Sequence, residues 1–176
     1  MESLKKALLS VFMVFALLFV IGFMLPSDYK VERSITINAP SSKIFPHLAD
    51  LKKWQDWGVW FKRDPNMSFE YAGDDAAIGM TTKWSSETEG NGEISIIALE
   101  TNKRVIYSVS MPDMPASTGE FVLSQVEGGT QVLWMDYGDV GMNPLRNYLA
   151  SVMDYMLGPD FEAGLDNLKM VVEASL

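Results

Sequence analysis

The sequence predicts an α+β domain, a curved antiparallel seven-stranded sheet wrapped around one long C-terminal helix, carried behind a single apolar N-terminal helix. Three observations predict it. Ala7 to Leu25 carries no charge over nineteen residues. Between Met67 and Tyr137 six runs of strand length follow one another, with turns too short to hold crossover helices, which makes an antiparallel meander. After Asn143-Pro144 the apolar period becomes helical and holds almost to the C-terminus.

As a helix the uncharged run is about 28 Å long, close to the hydrocarbon thickness of a bilayer. Its residues are apolar on every face, unlike a core helix of a small domain, so residues 7–25 read as a transmembrane helix. A cleaved signal peptide is the competing reading, because Lys5-Lys6 makes a short basic segment ahead of the run. The run is longer than a usual signal core, however, and Gly22-Phe-Met-Leu-Pro-Ser lacks a small-x-small cleavage site. Lys5 and Lys6 before the span, with Asp28 first after it, place residues 1–6 in the cytoplasm. Lys30 and Arg33 weaken that asymmetry. The expected location is the cell inner membrane, single-pass, with the domain periplasmic or otherwise extracytoplasmic. Pro26 ends the span, residues 26–30 form a tether, and residues 31–176 form the folded domain.

Within the domain, Val31 to Ile37 alternates apolar and polar with β-branched residues at the apolar places, as a half-buried strand does. Asn38-Ala-Pro-Ser-Ser offers capping residues, and Ile44, Phe45, Leu48, Leu51 and Trp54 follow at helical spacing. One or two short helices are expected, with Pro46 near enough to the start to be tolerated. The six later strand runs are SFEY, MTTKW, GEISIIALE, RVIYSVS, GEFVLSQVE and TQVLWMDY. Turn signals such as Glu89-Gly-Asn-Gly and Glu127-Gly-Gly separate them. The C-terminal stripe runs through Leu145, Leu149, Val152, Met153 and Met156, then Phe161, Leu165, Leu168 and Val172. Gly158-Pro159 is expected to kink this helix or divide it into two collinear pieces.

The phrases VERSITINAPSSKIFPHLADLKKWQDWGVW (31–60), GTQVLWMDYG (129–138) and MLGPDFEAGLDNLKMVVE (156–173) resemble the START-like, or SRPBCC, superfamily. Among its members the chain is most similar to the bacterial polyketide cyclase/dehydrase-like proteins with an N-terminal membrane anchor. The resemblance covers everything outside the anchor and tether, and it implies the helix-grip fold, with a cavity between the sheet and the long helix. One departure is Gly58-Val59, where the family often has Ser-Pro after the second tryptophan; this alters the stiffness of a loop.

Several functions are disfavoured by composition. The net charge is −9, and removing Glu2, Lys5 and Lys6 leaves the remainder more acidic still, so nucleic acid and anionic headgroups are repelled. With no cysteine there are no disulfides, thiol nucleophiles or cysteine metal sites. His47 is the only histidine, between Phe45 and Leu48, and suits a structural place better than catalysis. The acidic pairs Asp74-Asp75, Glu87 with Glu89, and Asp136 with Asp139 lie in or beside expected turns, without calcium-loop spacing. No metal and no cofactor is implied, and no catalytic constellation is visible. Gly90-Asn-Gly and Gly128-Gly precede strands instead of opening helices, so no phosphate cradle is present.

Apolar and aromatic residues remain. Trp54, Trp57 and Trp60 recur every third position and, with Phe61, either plug one end of the sheet as core or border a pocket mouth. Trp84, Tyr107, Phe121, Trp134, Met153 and Met156 are candidate cavity walls, and Met111 can add an adaptable apolar surface. The first expected function is a membrane-anchored binding module for a hydrophobic small molecule or lipid. The second is an enzyme of the cyclase/dehydratase type suggested by the resemblance, with Tyr107, Tyr137, Arg104 and Asp136 as its available polar groups. The third is a structural envelope protein binding a protein partner through an exposed apolar patch.

Overall fold

The computed structural model describes residues 2–176. Helix α1 spans Glu2–Gly22 and is solvent-exposed until its last residue. It has the length and apolarity to cross a membrane. It stops at Gly22 because the chain meets the domain there: a Cβ on Gly22 would overlap the Pro144 carbonyl. Asn147 Nδ2 donates to the carbonyl oxygens of Gly22 (2.8 Å) and Leu25 (3.3 Å), taking up acceptors that a helix end leaves free.

Strand β1 (Asp28–Ile37) begins within the stretch expected as a tether. The Ser27 carbonyl is already bonded to the Val140 amide. Helix α2 (Ser41–Ala49) contains Pro46, and a 3-10 turn at Leu51–Lys53 leads into two single-turn helices, α3 (Trp54–Trp57) and α4 (Trp60–Arg63). Gly58 separates the last two. Its amide caps the Trp54 carbonyl at 2.7 Å, and the Phe61 ring lies where a Cβ would stand. The third tryptophan therefore leaves the stripe of the first two.

The meander follows as β2 (Ser68–Ala72), β3 (Thr81–Ser85), β4 (Asn91–Glu100), β5 (Arg104–Ser110), β6 (Ser117–Val126) and β7 (Gly129–Asp139). All seven strands form one antiparallel sheet in the order β1-β7-β6-β5-β4-β3-β2. The first strand thus closes on the last, with Asp28 opposite Asp139 and Ile37 opposite Thr130. Alternation fixes the inward face. Val31, Asp136, Gly119 and Tyr107 form one row across four strands, and Arg33, Trp134 and Phe121 form the next.

Helix α5 (Pro144–Glu173) crosses this face, capped by the Asn143 side chain on the Leu145 amide. Of the two expected forms, one helix or two collinear pieces, it is the first: α5 is continuous through Pro159. Pro159 cannot donate to the Tyr155 carbonyl, so the helix runs through this point with one backbone bond missing. Arg33 of β1 also braces the site. Its guanidinium covers Gly158, where a Cβ would collide with it, and it binds Asp154 and Glu162 on either side of the proline.

Candidate functional site

Between sheet and helix lies a packed cluster of rings. Trp134 of β7 stacks on Phe161 of α5, centroids 3.9 Å apart and planes 3° from parallel. Phe121 lies beside Trp134 at 5.0 Å. Trp57 meets Trp134 edge-on at 5.5 Å, and Trp54 meets Tyr107 edge-on at 5.0 Å. The two edge-on contacts have the T-shaped geometry that aromatic pairs favour. Each indole N–H in the cluster has an acceptor: Trp134 donates to the Tyr107 hydroxyl (2.7 Å), Trp54 to the Leu48 carbonyl (3.0 Å) and Trp57 to the His47 carbonyl (3.1 Å). Gly164 lets α5 approach, since a Cβ there would stand 2.9 Å from the Trp134 ring. Trp54, Trp57, Tyr107, Phe121, Trp134 and Phe161 are at most 3% exposed, so this part of the interior is filled.

The candidate residues therefore divide. Trp54, Trp57, Tyr107, Phe121 and Trp134 make the filled core. Trp60, Phe61 and Met153 are half-buried against it, alongside Ile94, Val109 and Leu157. Trp84 is half-buried too, its ring lying flat over Gly92. Met111 is exposed beyond the end of β5, and Met156 is exposed on α5. The half-buried group bounds the end of the grip nearer α1, where β5 ends at Ser110 and β6 begins at Ser117. On one flank α4 is clamped there, because Arg63 pairs with both Asp160 of α5 and Glu89 of the β3–β4 turn.

Beneath this end is a polar group that the sequence reading placed differently. Asp136 was expected at a solvated turn; it is buried, two residues beyond Trp134 on the same inward face. Its Oδ1 accepts from the Tyr29 hydroxyl (2.9 Å) and its Oδ2 from the Ser117 hydroxyl (3.1 Å). Burial pushes the Asp136 carboxyl up to about 6, against the opposing pull of those two hydrogen bonds. Burial and the neighbouring carboxylate likewise raise Tyr29 and Tyr107 above the ordinary phenol value. Near pH 6 the site holds a carboxyl poised between its two forms, with two hydroxyls around it. Such a group can accept from, or donate to, a polar end of a ligand.

Of the other polar candidates, Arg104 and Tyr137 turn to the opposite face of the sheet. Both reach Glu120, Arg104 at 2.6 Å and Tyr137 at 3.4 Å. An open recess of about 740 Å³ lies at the far end of the domain, by the β4–β5 turn, bordered by Glu100, Lys103, Arg104 and Gln125. Its lining is too polar for the expected apolar ligand. No group of three or more metal-ligating side chains occurs among the described residues. Tyr29 and Ser117 were not among the candidates. Strand parity was their one signal, since Tyr29 stands two places before the inward Val31.

Residues 28–173 match the family model described as polyketide cyclase / dehydrase and lipid transport. The chain belongs to that family. Among solved structures, this polyketide cyclase/dehydrase-family domain is similar to SA2116, a protein of unknown function from Staphylococcus aureus, with a TM-score of 0.65 and 18% identity over 84% of this chain and 95% of that one. It is also similar to NE0264 from Nitrosomonas europaea (TM-score 0.61, 14% identity, 84% and 96% covered). A third is MLL2253 from Mesorhizobium loti (TM-score 0.60, 17% identity, 84% and 98% covered). At these identities the likeness is one of fold. No curated protein matches the chain.

Proposed function

We propose that the chain is a single-pass protein of the cell inner membrane whose extracytoplasmic domain binds a hydrophobic small molecule or lipid. Its ligand enters at the α1 end of the grip, not through the middle, which the rings fill. The observation that carries this reading is the change along the inward face. The ring cluster is fully buried, whereas Tyr29, Val109, Ile94, Met153 and Leu157 pack against it only half-buried, at the end of the grip where Tyr29 and Ser117 hold the Asp136 carboxyl. An apolar rim with a few polar groups at its floor is what a small-molecule site needs. The apolar part of the ligand lies against Val109, Ile94 and Met153, and its polar end reaches Asp136, Tyr29 and Ser117. The family description, which includes lipid transport, is consistent with such cargo. For α1, the two lysines ahead of the span support a cytoplasmic N-terminus.

The test is energy transfer from the domain's tryptophans to a polyene fatty acid, titrated into the full chain in nanodiscs. Saturable transfer that disappears in Val109→Phe supports the site. Transfer that is absent, or equal in both proteins, contradicts it.

A second reading rests on Asp136 itself. A buried acid near neutral pKa beside Tyr29 suits general acid catalysis of a dehydration or cyclisation. This reading requires Asp136→Asn to abolish turnover of a bound polyketide-like substrate while leaving its binding intact. Loss of binding together with turnover would leave Asp136 as an anchor only.

A further inference from the structure

The first half of α5 is apolar on two sides. Inward, Ala150, Met153 and Leu157 face the domain. Outward, Leu145, Val152 and Met156 lie seven and four residues apart, which stacks them on one stripe, and Tyr155 flanks it. All four are exposed, Tyr155 at 85%. Met142, just before the helix, is 95% exposed. The two charged residues between Leu145 and Pro159 turn aside from this stripe. Arg146 donates to the Asp113 carbonyl, and Asp154 pairs with Arg33.

This stripe is continuous with α1. Tyr148 donates to the Leu18 carbonyl (2.5 Å), and Asn147 to those of Gly22 and Leu25. The last turn of α1 is therefore fastened to the first turns of α5, followed by the exposed Phe23 and Met24. A domain fastened in this way has its orientation to the bilayer fixed by the span.

We propose that the first half of α5 lies on the bilayer surface, with Met142, Leu145, Val152, Tyr155 and Met156 seated among headgroups and upper acyl chains. This rests on reading α1 as the membrane span. Tyrosine at the polar-apolar boundary, with aliphatic side chains below it, is the composition of an interfacial helix. The acidic domain gains nothing from anionic lipid, so the contact is made by insertion and is insensitive to salt. It also sets the half-buried rim around Val109 and Met153 beside the lipid phase.

The absence of cysteine allows single labels at will. Met142→Cys and Tyr155→Cys, exposed positions that the fold does not need, carry an environment-sensitive fluorophore in the full chain, in phosphatidylcholine nanodiscs. Val14→Cys reports the span, and Glu127→Cys, on the β6–β7 turn, reports the distant end. Labels at 142 and 155 are expected to shift to shorter wavelength and to be quenched by lipid spin-labelled near the headgroup, equally at low and high salt, and the label at 14 to be quenched by lipid spin-labelled deep in the acyl chain. The label at 127 stays in water. Quenching at 14 with none at 142 and 155 overturns the proposal while leaving the span intact. A blue shift at 142 and 155 without lipid quenching also overturns it, since a protein surface then covers the face. Lack of quenching at 14 refutes the span itself, and the proposal with it.

Discussion

Asp136→Asn separates the burial of a polar group from the burial of a charge. The wild-type carboxyl is held at about 6 against an ordinary 3.8. Well below pH 3.8 it is protonated whether the chain is folded or not, and it costs the fold nothing. As pH rises the unfolded chain ionises first, so stability falls between about pH 4 and about pH 6 and levels off above. At about 1.4 kcal/mol per pH unit the loss is ~3 kcal/mol. Asparagine has the same shape and never ionises. Its carbonyl accepts from one hydroxyl, while its amide donates to the other, and both Tyr29 and Ser117 can fill either role. The variant is therefore expected to be more stable than wild type by ~3 kcal/mol at pH 7.5 and equal to it at pH 3.5. In a chain of this size ~3 kcal/mol corresponds to about 6–12 °C in Tm. The assay is thermal unfolding of both proteins in the same micelles across this range; other carboxylates cancel in the difference. A difference that does not vary with pH, or a variant less stable at pH 7.5, refutes the account of Asp136 as a charge held at a cost for binding.

Three further outcomes follow from the packing. Trp134→Ala removes the ring stacked on Phe161 and the donor to Tyr107, and is expected to destabilise the domain by about 3–5 kcal/mol; a loss below 1 kcal/mol in chemical denaturation would mean the cluster is loosely packed. Gly119→Ala places a methyl against the Tyr107 ring and is expected to cost about 1–3 kcal/mol, which Tyr107→Ala in the same chain should partly relieve in a double-mutant cycle. Arg33→Ala frees α5 from β1 around Pro159 and exchanges amide protons there faster, but because Asp154 and Glu162 are exposed its cost in stability is small and shrinks with salt.

Much of the fold is legible in the sequence because period and turn chemistry agree. Each of the six strand runs after Met67 is a strand, and the meander order follows from their short turns. The closure of β1 on β7 is a long-range pairing that no local pattern specifies. Pro159 left one helix or two collinear pieces open in the sequence, because the Arg33 brace beside it comes from another element. The tryptophans were recognised as a set, yet spacing cannot separate rings that fill a core from rings that line an opening. Gly58 decides that for Trp60, and Phe161 decides it for Trp134. Asp136 stayed ambiguous in the sequence, a polar group on a strand run and also half of an acidic pair beside the turn residues Gly138 and Asp139. Counting two residues on from Trp134 puts it on the inward face, and only burial and the Tyr29 and Ser117 hydroxyls give it chemistry.

The most direct test of the central claim, an apolar ligand seated at the half-buried end of the grip, is native mass spectrometry of the full chain and of Val109→Phe, each released from the same micelles after incubation with membrane lipids. Lipid held by α1 alone appears in both. The account predicts one additional discrete apolar mass on the wild type that Val109→Phe lacks. Identical spectra from the two proteins would contradict it.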